Sequence, residues 1–134
     1  MLLSRACEYG IQTILYLAAH HDVPYISIKE IAEKNNISFH FLGKIVQILT
    51  QKGLLISYKG PKGGVRLAKA PEDIRVLEVV EAIDGLDILQ KCVLGLPSCS
   101  DKKPCALHRK WGKIREEIYN MLSEKSIAQL IHEK

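Results

Sequence analysis

Three cysteines, Cys92, Cys99 and Cys105, stand in a C-x6-C-x5-C arrangement, and His108 follows the last by three residues. Thiolates are soft donors, and three of them with an imidazole make a four-donor set suited to zinc or to an iron–sulfur cluster. One small zinc ion is usually gripped by knuckles two to four residues apart. Gaps of six and five without a knuckle fit a bulkier cluster wrapped by a loop. The same thiols lie near Lys91, Lys102 and Lys103, and exposed cysteines of depressed pKa oxidise readily, so a metal-free peroxide sensor that closes disulfides is a second use. A zinc-stabilised regulator is a third. Spacing alone leaves these open, with the cluster as first reading. His108 taken singly is an ordinary histidine at a helix start. Cys7 falls on the apolar stripe of a helix and reads as core, with Glu8 beside it in solvent.

The chain that must position these groups has 134 residues, 47% apolar and 25% charged. Those proportions fit one globular domain and exclude disordered and collagen-like classes. The net charge of +4 is unevenly placed: residues 38–69 hold Lys44, Lys52, Lys59, Lys62, Arg66 and Lys69 with no acid, so this stretch carries +6 and the remainder −2. Charge focused in this way suits a polyanion such as double-stranded DNA. No apolar run approaches the roughly 20 residues that cross a bilayer, and Arg5 and Glu8 interrupt any secretion signal. The expectation is a cytoplasmic protein with reduced thiols, no membrane partner and no small-molecule substrate. No C-x-x-C, phosphate-binding loop or Ser/His/Asp constellation is visible, so an enzyme is not expected.

Periodicity predicts a helix from Ser4 to about His20, with Cys7, Ile11, Ile14, Leu15 and Ala18 on one stripe. Pro24 interrupts, and Ser27-Ile28-Lys29-Glu30 reads as a capping box opening a short second helix. Ser38 caps a third, Phe39 to about Lys52, with Phe41, Leu42, Ile45, Ile48 and Leu49 inward and Gly53 as its stop. Two helices joined by so short a turn match a helix-turn-helix. Leu54–Tyr58 and Val65–Leu67 then read as a hairpin around Lys59-Gly60-Pro61-Lys62-Gly63-Gly64, the wing of a winged helix. The expected fold is mainly α with a small β-hairpin wing. His40, Lys44 and Gln47 form the polar face of the recognition helix, and Gln47 suits adenine. The caps Ser27 and Ser38, the wing residues Tyr58, Lys59, Gly60, Pro61, Lys62, Gly63 and Gly64, and Arg66 complete the candidate DNA surface.

Ile74–Ile83 is predicted as a further helix stopped by Gly85, and Cys105 to about Glu124 as a long final one. Leu107, Trp111, Ile114, Ile118 and Met121 recur at 4, 3, 4, 3, a heptad-like seam. It lies either on its own domain or, the favoured reading, against its twin in a homodimer that reads two-fold symmetric DNA. The resulting division is 1–85 as winged helix-turn-helix, 86–106 as cysteine loop, and 107–134 as dimerisation helix and tail.

The opening helix with Tyr9, "IKEIA" at 28–32, Phe41-Leu42, "GPKGGVRLAK" at 60–69, "VVEAIDG" at 79–85 and the cysteine loop together resemble the Rrf-two family of bacterial winged-helix regulators, in its cluster-sensing branch of IscR, NsrR and RirA type. The resemblance implies a homodimer with crossing C-terminal helices and an iron–sulfur cluster on Cys92, Cys99 and Cys105. It offers two fourth ligands: His108, as in 2Fe–2S members, or Glu8 of the partner subunit, as in NsrR-type members. The favoured cluster is 2Fe–2S, with 4Fe–4S the other choice. Arg5 is implied as a DNA-backbone contact.

Overall fold

The computed structural model describes residues 2–96 and 102–132. Cys99 lies outside the described residues. Helix α1 spans Arg5–Ala19, capped by Ser4, whose hydroxyl accepts from the Cys7 amide at 3.0 Å. Ser4 is itself held by Asp84, which accepts from both its amide and its hydroxyl. The inward stripe is rotated from the expected one: Gly10, Thr13 and Leu17 are buried with Cys7, Ile14 and Ala18, while Ile11 and Leu15 are half-covered. Gly10 explains the turn. A Cβ there would overlap the end of the Ile83 side chain, so the missing side chain lets a later helix come close.

Helix α2 (Ile28–Asn35) opens at Ser27, whose hydroxyl accepts from Glu30 N–H at 3.1 Å. Only this half of the expected capping box forms. The Glu30 carboxylate instead accepts from the Tyr16 hydroxyl at 2.8 Å, tying α2 to α1. Asn36, at φ 55°, ends α2. Helix α3 (Phe39–Gln51) follows after Ser38, burying Leu42, Ile45, Val46 and Leu49. Phe41 departs from expectation: it is exposed and meets the Tyr9 ring edge-on at 5.7 Å.

Strands β1 (Leu55–Tyr58) and β2 (Gly64–Leu67) pair antiparallel, with Leu55 opposite Leu67 and Tyr58 opposite Gly64. The wing has a third edge that the sequence did not announce. Ile26 and Val65 exchange backbone hydrogen bonds of 3.0 and 2.9 Å. Gly64 permits that approach, since a Cβ on it would run into the Ile26 carbonyl and the Ser27 amide.

Helix α4 is shorter than predicted, Val76–Ile83, because Ile74 and Arg75 are extended, with Arg75 bridged to Ser126. Helix α5 starts at His108, not Cys105, and runs to Glu124. Cys105 therefore sits in the loop, joined to the helix by a turn in which His108 N–H donates to its carbonyl at 3.1 Å. Helix α6 (Ile127–His132) folds back onto α1, with Ile127 fully enclosed. Its entry is secured by Ile127 N–H to Ile74 O at 2.9 Å, Val76 N–H to Lys125 O at 3.0 Å and Arg75 Nη1 to Glu124 O at 3.1 Å. One continuous core results, centred on Ile14, Ile31, Leu42, Ile45, Leu49, Val79 and Ile127. Among the described residues no helix is long and apolar enough to cross a membrane.

Cys7 is 0% exposed within this core, and burial, reinforced by Asp84 and Glu8, pushes its thiol up to about 12. An unfolded chain loses this proton nearer the ordinary thiol value, so rising pH favours unfolding between the two. Urea midpoints of the wild type should therefore fall as pH climbs from about 9 towards 12 by more than those of Cys7→Ala. Iodoacetamide at pH 8 should leave Cys7 unmodified in the native state.

Candidate nucleic-acid interface and cysteine site

The start of α2, the outer face of α3 and the wing enclose an open groove of about 720 Å³. Ser27, Gln47, Tyr58, Lys59, Gly60, Gly63 and Gly64 line it, so seven of the DNA-site residues expected from sequence converge there. His40 and Lys44 are exposed on α3 beside it, and Pro61 and Lys62 are exposed at the wing tip. Ser38 is exposed at the start of α3, where its hydroxyl accepts from Phe41 N–H at 3.5 Å. Arg5 is exposed at the start of α1 and does not line the groove. Of the six basic residues in 38–69, only Lys69 is in an ion pair among the described residues, with Glu78 at 3.0 Å. Lys44, Lys52, Lys59 and Lys62 keep their charge for solvent or a ligand, as phosphate neutralisation requires.

Arg66 is placed differently. It points to the flank of the wing, with its guanidinium carbon 5.3 Å from the Tyr25 ring centre, and Tyr25 lies 5.3 Å from the ring of Tyr58. Tyr25 thus joins two residues of the expected surface and was missed. The only sequence signal was an aromatic-aliphatic pair, Tyr25-Ile26, after Pro24, too short to read as a strand. A second unforeseen link ties reading helix to wing: Thr50 Oγ1 and Ser57 Oγ lie 3.0 Å apart.

At the opposite end of the sequence, Cys92 and Cys105 come together with 3.9 Å between sulfurs. Both are half-buried. Two metal–thiolate bonds of about 2.3 Å at a tetrahedral angle place their sulfurs about 3.8 Å apart, so this pair already has the spacing of two donors on one metal atom. His108 opens α5 three residues beyond Cys105, half-buried, and Glu8 is exposed in the first turn of α1. The cysteine segment is seated on α5: Trp111 Nε1 donates to the Lys91 carbonyl at 2.8 Å and Arg115 Nη1 to the Gln90 carbonyl at 3.2 Å.

That seating divides the expected seam. Trp111 and Ile118 turn towards their own chain. Leu107, Ile114 and Met121, at steps of seven, are 45%, 41% and 54% exposed, and Tyr119 is exposed with them.

Comparison with known proteins agrees with this architecture. Residues 3–133 match the family described as Rrf2, iron-dependent transcriptional regulator. The HTH-type transcriptional regulator IscR of Erwinia tasmaniensis is 30% identical over 132 residues, covering 98% of this chain and 79% of its own. Among solved structures, CymR, the global cysteine regulator of B. subtilis, superposes with a TM-score of 0.82 at 27% identity, covering 98% and 97% of the two chains. The oxidized form of Staphylococcus aureus CymR superposes at 0.79, also 27% identical, over 98% and 96%. Because the family match takes in the helix-turn-helix, the wing and the cysteine segment alike, the chain belongs to the Rrf2 family of DNA-binding transcriptional regulators and is not an enzyme.

Proposed function

We propose that this protein is a homodimeric transcriptional regulator whose grip on DNA is set by an iron–sulfur cluster held by Cys92, Cys99 and Cys105 with His108 or Glu8 of the partner subunit. The observation that carries the reading is the 3.9 Å approach of Cys92 and Cys105 at the root of α5. The iron-dependent description of the family supports it. When bound, the cluster supplies an inorganic centre whose assembly and loss follow iron supply and oxidants. Its 2Fe–2S form is favoured, because two thiolates so close suit a shared iron atom. The protein parts act around it. Lys59 and Lys62 neutralise phosphates from the wing, Gln47 faces base edges from α3, and Leu107, Ile114 and Met121 meet their copies across a two-fold axis. A symmetric dimer of this kind reads a two-fold symmetric operator. The working compartment is the cytoplasm, where such thiols stay reduced.

The deciding experiment is an absorption spectrum with iron and sulfide analysis of anaerobically purified, reconstituted protein. Visible absorbance with stoichiometric iron and sulfide is expected, and a colourless, iron-free product would refute the cluster. The wing has its own test. The Lys59→Ala/Lys62→Ala double variant should weaken binding to all sequences and make the slope of log K against log salt shallower by about two. An unchanged slope would remove the wing from the phosphate contacts.

A second reading, a metal-free thiol switch, is favoured by the same sulfur pair, since a short movement brings it to disulfide range. The oxidized CymR structure shows that a regulator of this fold exists in an oxidized form. Reversible Cys92–Cys105 crosslinking that alone changes operator affinity would support it.

A further inference from the structure

Trp111 is the chain's one tryptophan, and from the first turn of α5 its side chain reaches back to the limb that carries Cys92. Its indole N–H donates to Lys91 O at 2.8 Å, one residue before Cys92. Its amide N–H makes the ordinary first-turn helix bond to Leu107 O at 2.8 Å, which places residue 111 one turn from Cys105 whatever its side chain. One helical turn further on, Arg115 adds a second tie, to Gln90 O. The limb bearing Cys105 is joined to α5 by the chain itself; the limb bearing Cys92 is joined to it by these side chains. The sulfurs are 13 residues apart in sequence and 3.9 Å apart in space, and the Trp111 indole ties the Cys92 limb to the helix that the Cys105 limb leads into. A seam residue serving only a partner helix would offer its ring outward. This indole is half-buried and spends its one donor inside the chain.

We propose that Trp111 is a positioning residue that seats Cys92 against Cys105 and passes a change at that pair to α5. The proposal rests on the reading of the cysteine loop as the sensing site. A hydrogen bond of this kind acts by direction more than by strength, since water offers the carbonyl a substitute partner. Its removal is therefore expected to loosen the sulfur pair while leaving the fold in place.

The test uses the full chain with Cys99→Ser, so that Cys92 and Cys105 are the thiols outside the buried Cys7. Diamide is the oxidant: its azo bond takes up two electrons and two protons from the thiols as the disulfide forms. Crosslinking is followed by mass spectrometry and by tryptophan emission. Emission should shift as the pair closes, and should stay constant when Cys92→Ser blocks closure. Trp111→Phe keeps a ring without the N–H and should slow crosslinking by about threefold or more, as the effective concentration of one thiol at the other falls. Arg115→Met, which leaves the indole intact, should slow it less, and supplies the measurement if Trp111→Phe does not fold. Unchanged emission on closure, or an unchanged rate in a folded Trp111→Phe protein, overturns the proposal. A tryptophan serving packing alone would leave the crosslinking rate unchanged. Failure of cluster reconstitution would strike the proposed cofactor instead, since neither readout needs iron.

Discussion

Valine in place of Gly64 should detach the wing from the body of the protein and weaken operator binding by at least about tenfold. The added Cβ would meet the Ile26 carbonyl and the Ser27 amide, which are backbone and cannot rotate aside. Either the Ile26–Val65 bridge breaks or β2 shifts, and both displace Lys59 and Lys62 from their place beside α3. Overpacking of this kind costs about 1–3 kcal/mol, which for a chain of this size lowers Tm by roughly 4–10 °C. The contrast is Gly43→Ala on α3, where a Cβ meets open space and the helix gains about 0.5–1 kcal/mol. Differential scanning calorimetry of the two variants should move Tm in opposite directions. Equal Tm values for Gly64→Val and wild type would refute the proposed bracing of the wing.

Cluster-loaded protein and Cys92→Ala protein should differ in affinity for at least one operator by about 5- to 150-fold, the range of 1–3 kcal/mol usual for coupled sites. The cysteine site and the groove are on different elements, so on the proposed reading ligation at one would reach the other through the arrangement of α5 on the DNA-binding body and not by touching DNA. The coupling is reciprocal at equilibrium: operator DNA should change the cluster's affinity by the same factor by which the cluster changes the wild-type apo protein's affinity for DNA. Fluorescence anisotropy on matched anaerobic samples measures the first quantity, and equilibrium competition for iron by a chelator with and without DNA the second. Equal affinities on every operator tested would break the link between the two sites.

The parts of this molecule that were legible in the sequence are those where local chemistry and tertiary packing agree. Ser27 and Ser38 cap helices because their hydroxyls have waiting amides, and Gly53 ends α3 at φ 80°. Of the basic stretch, Lys59 lines the groove and Lys44 and Lys62 stand exposed beside it, because α3 and the hairpin are consecutive, whereas Lys52 and Lys69 lie elsewhere. What escaped depended on contacts distant in sequence. Glu30 gave up its capping role because Tyr16, on another helix, competes for the carboxylate. The heptad spacing of Leu107 to Met121 put five residues on one seam, which the fold divides: Trp111 and Ile118 turn inward and Leu107, Ile114 and Met121 outward. Residue 111 found its partner in the Lys91 carbonyl, 20 residues earlier. The third edge of the wing was too short for alternation to reveal, and Tyr25 went unnoticed with it.

The fastening of α5 has a mechanical consequence. Its C-terminal end is pinned where Glu124 meets Arg75 and where Ile127 enters the core, while its N-terminal end carries His108 and the thiol pair. A helix of 17 residues is about 25 Å long at 1.5 Å per residue. Its N-terminal half is tied to the Cys92 limb by Trp111 and Arg115, so that a displacement of about 2 Å of that limb would correspond to a swing of about 5° of the helix. Rearrangement on the scale of a single bond at the cysteines is thereby enough to reorient the long axis along which two copies would meet.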